Sequence, residues 1–177
     1  GEDYLKEFAP VALDCAMYDG KQYMLPDRLG NELCLIINKK LVDKVPATWD
    51  ELVATGMKLK KEKKADYPLA FQMFEPFFSV SFFGAFDVRM FDNPGSAKAK
   101  PTLNTPQMLE WCRFLVKLQK DEIIPSECDY DYASNLFIDG KVPFLINGPW
   151  SFNYYSKSFS MDLIIAPIPP INGKFPA

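Results

Sequence analysis

Four consecutive residues, Glu75-Pro76-Phe77-Phe78, set an acid beside two flat aromatic rings in this 177-residue chain. A carboxylate makes strong, charge-assisted hydrogen bonds to hydroxyl groups. Aromatic rings offer flat apolar faces to C–H surfaces. Pro76 suits the first turn of a helix and stiffens its start, so its neighbours are held in place. Trp150 follows the turn Asn147-Gly148-Pro149, a position from which a side chain can face a cleft. These residue types suit binding better than bond-breaking. The chain contains no histidine, which removes Ser-His-Asp and Cys-His nucleophilic machinery. Its four cysteines, Cys15, Cys34, Cys112 and Cys128, form no CxxC pair, so a zinc site is not expected. Each reads as a small buried hydrophobe, and export would allow one disulfide without saying which pair.

Composition narrows the class further. Hydrophobic residues make up 48% and charged residues 24%, as in ordinary globular domains. The net charge of -3 carries no basic stripe of the kind that nucleic acid selects. The local run Lys58 to Lys64 reads as a solvated helix end. No apolar run approaches the ~20 residues of a membrane span, and no signal peptide is legible. Aromatic residues reach 15%, with six phenylalanines between Phe71 and Phe83. Among them Phe74, Phe82 and Phe83 are expected in the core.

The elements that must position these residues alternate. Tyr4 to Met17 reads as a helix with a break at Pro10, and Asp19-Gly20 as a turn before a short strand, Lys21 to Leu25. Glu32 to Ile37 is a continuous apolar run, the mark of a buried strand. Thr48 and Glu51 form a capping box that opens a helix to about Lys63. Tyr67 to Met73 reads as a strand, and Pro76 to Gly84 as a helix. Thr105-Pro106 starts a helix with Met108, Trp111, Cys112, Leu115 and Leu118 along one face. A short helix from Tyr132 to Asp139 ends at Gly140, followed by a strand, Val142 to Ile146. A helix from Trp150 to Lys157 and a last strand, Asp162 to Ile168, complete the series. Strands near 33–37, 68–73, 142–146 and 162–168 are predicted to share one sheet, giving an α/β fold.

Five segments carry a resemblance. FIDGKVPFLINGPW (Phe137 to Trp150) is similar to the helix–Gly–strand–turn–Trp segment of the maltose/maltodextrin-binding proteins and their wider extracellular solute-binding family. FQMFEPFF (Phe71 to Phe78) is similar to a strand ending in Glu-Pro-aromatic-aromatic in the same group. DGKQYMLP (Asp19 to Pro26), NELCLIINKKLVDKVPATWDEL (Asn31 to Leu52) and APIPPINGK (Ala166 to Lys174) agree in order and spacing. The resemblance implies an α/β fold: one lobe of a type II periplasmic-binding-protein clamshell, a mixed sheet flanked by helices. It implies an incomplete chain, with residues 1–28 a remnant of the N-terminal lobe and first crossing, and 29–177 the C-terminal lobe without its terminal helices.

By the same resemblance, Glu75, Phe77 and Phe78 match ligand-contacting positions of the maltodextrin receptors. Trp150 matches their stacking Trp, and Tyr130 a contacting Tyr before the short helix. Asn31 lies near a position where those receptors carry Glu, and Phe77 replaces a Tyr. Both departures bear on maltose itself and leave a sugar in general. The resemblance further implies an exported, monomeric receptor with a sugar ligand, no cofactor, no catalysis, and the membrane permease of an ABC importer as partner. A same-fold receptor for polyamine, iron, phosphate or peptide remains an alternative. Phosphate would favour Arg and Gly-rich helix starts, and only Arg28, Arg89 and Arg113 occur, none beside a Gly-rich loop. A two-carboxylate carbohydrate hydrolase is the other alternative.

Overall fold

The computed structural model describes residues 2–27 and 30–176. The chain divides into two compact units, Gly1–Asn31 with Arg89–Thr105, and Glu32–Val88 with Pro106–Ala177. The boundary expected from sequence, between residues 28 and 29, lies outside the described residues.

In the first unit, helices α1 (Glu2–Leu5) and α2 (Pro10–Asp14) replace the single helix read from sequence. Pro10 stands in the first turn of α2, where its missing N–H costs nothing. Met17, expected to end that helix, instead opens strand β1 (Met17–Tyr18), paired antiparallel with β2 (Lys21–Gln22). The loop is Asp19-Gly20, with φ of 48° and 73°, the left-handed pair that a two-residue hairpin requires. Residues 89–105 fold back on themselves. Phe91 bridges Pro101, and Thr102 donates to the carbonyls of Met90 and Arg89. Asp19 N–H donates to the Gly95 carbonyl, which ties that excursion to the hairpin.

The second unit is built on the four-stranded sheet predicted from sequence. Its strands are β3 (Cys34–Asn38), β4 (Leu69–Ala70), β5 (Phe144–Asn147) and β6 (Leu163–Ala166), in the order β4-β5-β3-β6. β4 runs parallel to β5, while β3 is antiparallel to both of its neighbours. The apolar run in β3 divides by the two-residue period of a strand. Leu35 and Ile37 join one core with Trp49, Leu52, Phe71, Phe82, Leu115 and Leu118. Cys34 and Ile36 join the other with Leu136, Phe137 and Tyr155. α3 (Trp49–Lys61) and α5 (Pro106–Lys120) cover the first face, and α6 (Tyr130–Ile138) the second.

The capping box forms with one change. Thr48 Oγ1 accepts from Glu51 N–H at 3.1 Å, and the Glu51 carboxylate reaches back to Ala47 N–H at 2.8 Å instead of to the cap's own amide. Other differences have local causes. β4 is shorter than expected because Leu69 and Met73 N–H donate to the carbonyls of Ile123 and Cys128, so this edge pairs with a loop. α4 (Pro76–Ser79) lasts one turn and tightens into a 3-10 helix, Val80–Phe86, ended by Asp87 at φ 55°. The helix expected over 150–157 forms but changes pitch, from a 3-10 turn, Pro149–Ser151, through helical Phe152 and Asn153 to a π turn, Tyr154–Ser158.

Phe82 and Phe83 are buried, but Phe74 is 61% exposed, because it sits in the loop after β4 and outside the helix that carries the others. Cys34 and Cys128 are buried, whereas Cys15 and Cys112 are exposed, and all four thiols are free. Cys112 is one step, about 100°, around α5 from Trp111, enough to leave the apolar stripe.

Candidate aromatic binding site

Tyr130, Trp150, Phe77 and Phe78 converge within the second unit. Three devices place them. Glu75 caps α4, its carboxylate accepting from Phe77 N–H at 3.4 Å. Because successive helical residues diverge by about 100°, Phe77 turns outward, 41% exposed, while Phe78 turns inward, 5% exposed. From behind, Trp111 Nε1–H donates to the Ser79 carbonyl at 3.2 Å, and its ring packs edge-on against Phe83.

The second device is the cap of α6. Asp129 accepts from Tyr132 N–H at 2.7 Å and fixes the start of the helix, where Tyr130 is half-buried. The third is the turn after β5. Asn147 Oδ1 accepts from Gly148 N–H at 2.9 Å, and Ser151 Oγ donates to the Gly148 carbonyl at 2.7 Å. Asn147 Nδ2 donates to the Tyr155 hydroxyl at 3.1 Å, and Ser134 Oγ lies 3.0 Å from the same hydroxyl. Every polar side chain in this network is buried and partnered, which makes it rigid. Burial holds the Tyr155 phenol above its usual pKa, so it stays neutral and able to donate.

The Trp150 indole lies directly against Gly148: a Cβ there would fall 1.9 Å from Trp150 Cζ3 and 2.1 Å from Cη2. Its Nε1–H donates to the Tyr130 hydroxyl at 3.2 Å, and 44% of the residue stays exposed. Phe78 is the hub beneath, with ring centroids 5.5 Å from Phe77, 6.1 Å from Tyr130 and 6.4 Å from Trp150. Phe77 and Trp150 are 6.1 Å apart and tilted by 49°. The two exposed rings thus make a fixed apolar platform, with the exposed Glu75 carboxylate beside Phe77.

Of the residues singled out from sequence, the structure clusters the rings of Phe77, Phe78, Tyr130 and Trp150, with Glu75 adjoining. Phe78 is a support with little surface to offer a ligand. Asn31 belongs to the first unit, exposed and in the left-handed region at φ 67°. Sequence reasoning missed Tyr155, Ser134 and the close approach at Gly148. The Gly directly before Pro-Trp was the one available sign of the last.

The fold agrees with that of known proteins. The profile of the bacterial extracellular solute-binding proteins matches residues 1–176, and the chain belongs to that family. It is 31% identical over 170 residues to a maltotriose-binding protein of Pyrococcus abyssi, an alignment that takes in 96% of this chain and 36% of that protein. A putative binding protein of Brucella abortus is 27% identical over 163 residues, covering 86% of this chain and 38% of its own length. Among solved structures, the maltose/maltodextrin-binding domain MalE of Bdellovibrio bacteriovorus, bound to maltotriose, superposes with a TM-score of 0.82 at 38% identity. It covers 100% of this chain, which spans 47% of that one. The chain therefore spans between a third and a half of the length of these relatives.

Proposed function

We propose that this chain is the sugar-facing part of an exported solute receptor, which holds an oligosaccharide between two lobes and delivers it to the permease of an ABC importer without altering it. The family points to the periplasm or cell surface as the place of action. The observation that carries the reading is the Trp150 ring held by Tyr130 beside exposed Phe77, with the Glu75 carboxylate at its edge. The rings suit the C–H faces of a pyranose, and the carboxylate suits its hydroxyl rim. That two of the relatives described are named for or bound to maltotriose supports a glucose-based oligosaccharide as the ligand class.

A ligand closed between two lobes draws contacts from both. If half of a micromolar affinity, about -8 kcal/mol, came from elsewhere in a longer receptor, this chain alone would bind near -4 kcal/mol, in the millimolar range. Calorimetric titration with maltotriose and, separately, with spermidine tests the reading. Weak, saturable binding of maltotriose is expected, and selective binding of the polyamine overturns it.

A further inference from the structure

Phe74 has no place in the platform, and the residue is 61% exposed. It lines a cleft of about 600 Å³ together with Tyr67, Glu127, Cys128, Asp129 and Tyr132, a volume within the range of small-ligand sites. Both walls of this cleft run directly into the platform. Phe74 precedes Glu75 on one side, and Asp129 precedes Tyr130 on the other. Met73 N–H donates to the Cys128 carbonyl at 3.2 Å, which ties the two walls together one residue before the cleft opens. The cleft and the platform are therefore adjacent along both stretches of chain, Phe74-Glu75 and Asp129-Tyr130.

The cleft repeats the chemistry of the platform. Phe74 and the 43% exposed Tyr132 offer ring surface. Glu127 and Asp129 supply carboxylates. One Asp129 oxygen is used by Tyr132 N–H, whereas Glu127 is exposed and has no protein partner among the described residues. Cys128 lies buried behind the cleft with its thiol pushed up to about 11 by burial, so it acts as inert lining.

We propose that this cleft is an extension subsite, which takes further sugar units of an oligosaccharide seated on Trp150 and Phe77. The proposal rests on the sugar-receptor reading. A short oligosaccharide fills the platform alone, and a longer one also packs against Phe74.

Two-dimensional NMR titrations of this chain and of Phe74→Ala, with maltotriose and with maltoheptaose, test it. Both sugars should shift the amides of Tyr130 and Trp150, and only maltoheptaose those of Glu127 and Tyr132. A longer sugar also gains from having more binding registers, and that gain survives in the variant. The diagnostic is therefore a selective loss: Phe74→Ala should weaken maltoheptaose about threefold or more and leave maltotriose unchanged. Equal loss for both sugars, or no loss for either, overturns the subsite while leaving the receptor reading standing. Absence of binding by either sugar to the unaltered chain overturns both. Phe74 is exposed, so an unchanged melting temperature is expected and separates lost contact from lost fold.

Discussion

The indole N–H of Trp150 points at the Tyr130 hydroxyl, 3.2 Å away, and joins the turn after β5 to the first residue of α6. This bond orients a ring that is otherwise free on one side. A stacking ring in a fixed orientation loses little entropy when a ligand arrives, and that saving is what preorganisation contributes to affinity.

Removing the platform ring and removing the tryptophan packed behind α4 should have separable effects. Trp150→Ala should weaken oligosaccharide binding about tenfold, equivalent to 1.4 kcal/mol, with a small effect on stability because the residue is 44% exposed. Trp111→Ala should instead cost about 3 kcal/mol of folding stability through the cavity it leaves. Affinity by calorimetry and stability by urea unfolding distinguish them. Equal losses of affinity, after correction for stability, would remove Trp150 from the site.

Gly148→Ala should displace Trp150 without straining the backbone. Gly148 has φ -117° and ψ 176°, which alanine adopts freely, so only the clash with the indole remains. Affinity should fall by about as much as in Trp150→Ala, while Gly148→Ala in a Trp150→Ala background should change affinity little further. A crystal structure with the indole unmoved would contradict this.

Tyr155→Phe keeps the packing and deletes the hydroxyl that Asn147 and Ser134 share. Two buried polar groups then lose a partner, at a cost of about 1–3 kcal/mol. Urea midpoints with an unchanged m-value check it. A variant as stable as the original would mean that the network carries no net stability.

The cysteines predict a pH window. Burial, and secondarily the charge of Glu32, pushes the Cys34 thiol from 9.0 up to about 11, and burial does the same for Cys128. Folded-state values above the unfolded ones favour the folded state below pH 9, and this stability is lost as pH rises through 11. A thiol reagent at pH 8 should label Cys15 and Cys112 within minutes and the buried pair only on unfolding. Rapid labelling of all four in the folded protein refutes it.

Thr48→Ala removes the oxygen that accepts Glu51 N–H, at a cost of about 1 kcal/mol to the start of α3. The melting temperature reads it, and no change would show that the Glu51–Ala47 bond suffices.

Local chemistry was legible wherever one stretch of chain decides its own structure. The apolar run from Glu32 to Ile37 marks a strand covered on both faces, observed at Cys34–Asn38, and Thr48 with Glu51 marks a helix start. Pro10, Pro76 and Asp19-Gly20 mark starts and turns for the same reason: their backbone limits are intrinsic. Glu-Pro-Phe-Phe and Asn-Gly-Pro-Trp were visible as binding chemistry from residue type and order.

What the sequence left open depends on partners far along the chain. Phe77 and Phe78 are equivalent as letters, and only the packing of Phe78 under Tyr130 and Trp150 makes one surface and the other support. Phe74 and Cys112 follow apolar patterns yet face solvent, because a loop and one helical step carry them off the buried stripe. The network of Ser134, Asn147 and Tyr155 includes a contact across 21 residues that no local propensity encodes. Tertiary structure decided these points because burial is a property of neighbours in space, and a residue's own type sets only what burial costs it.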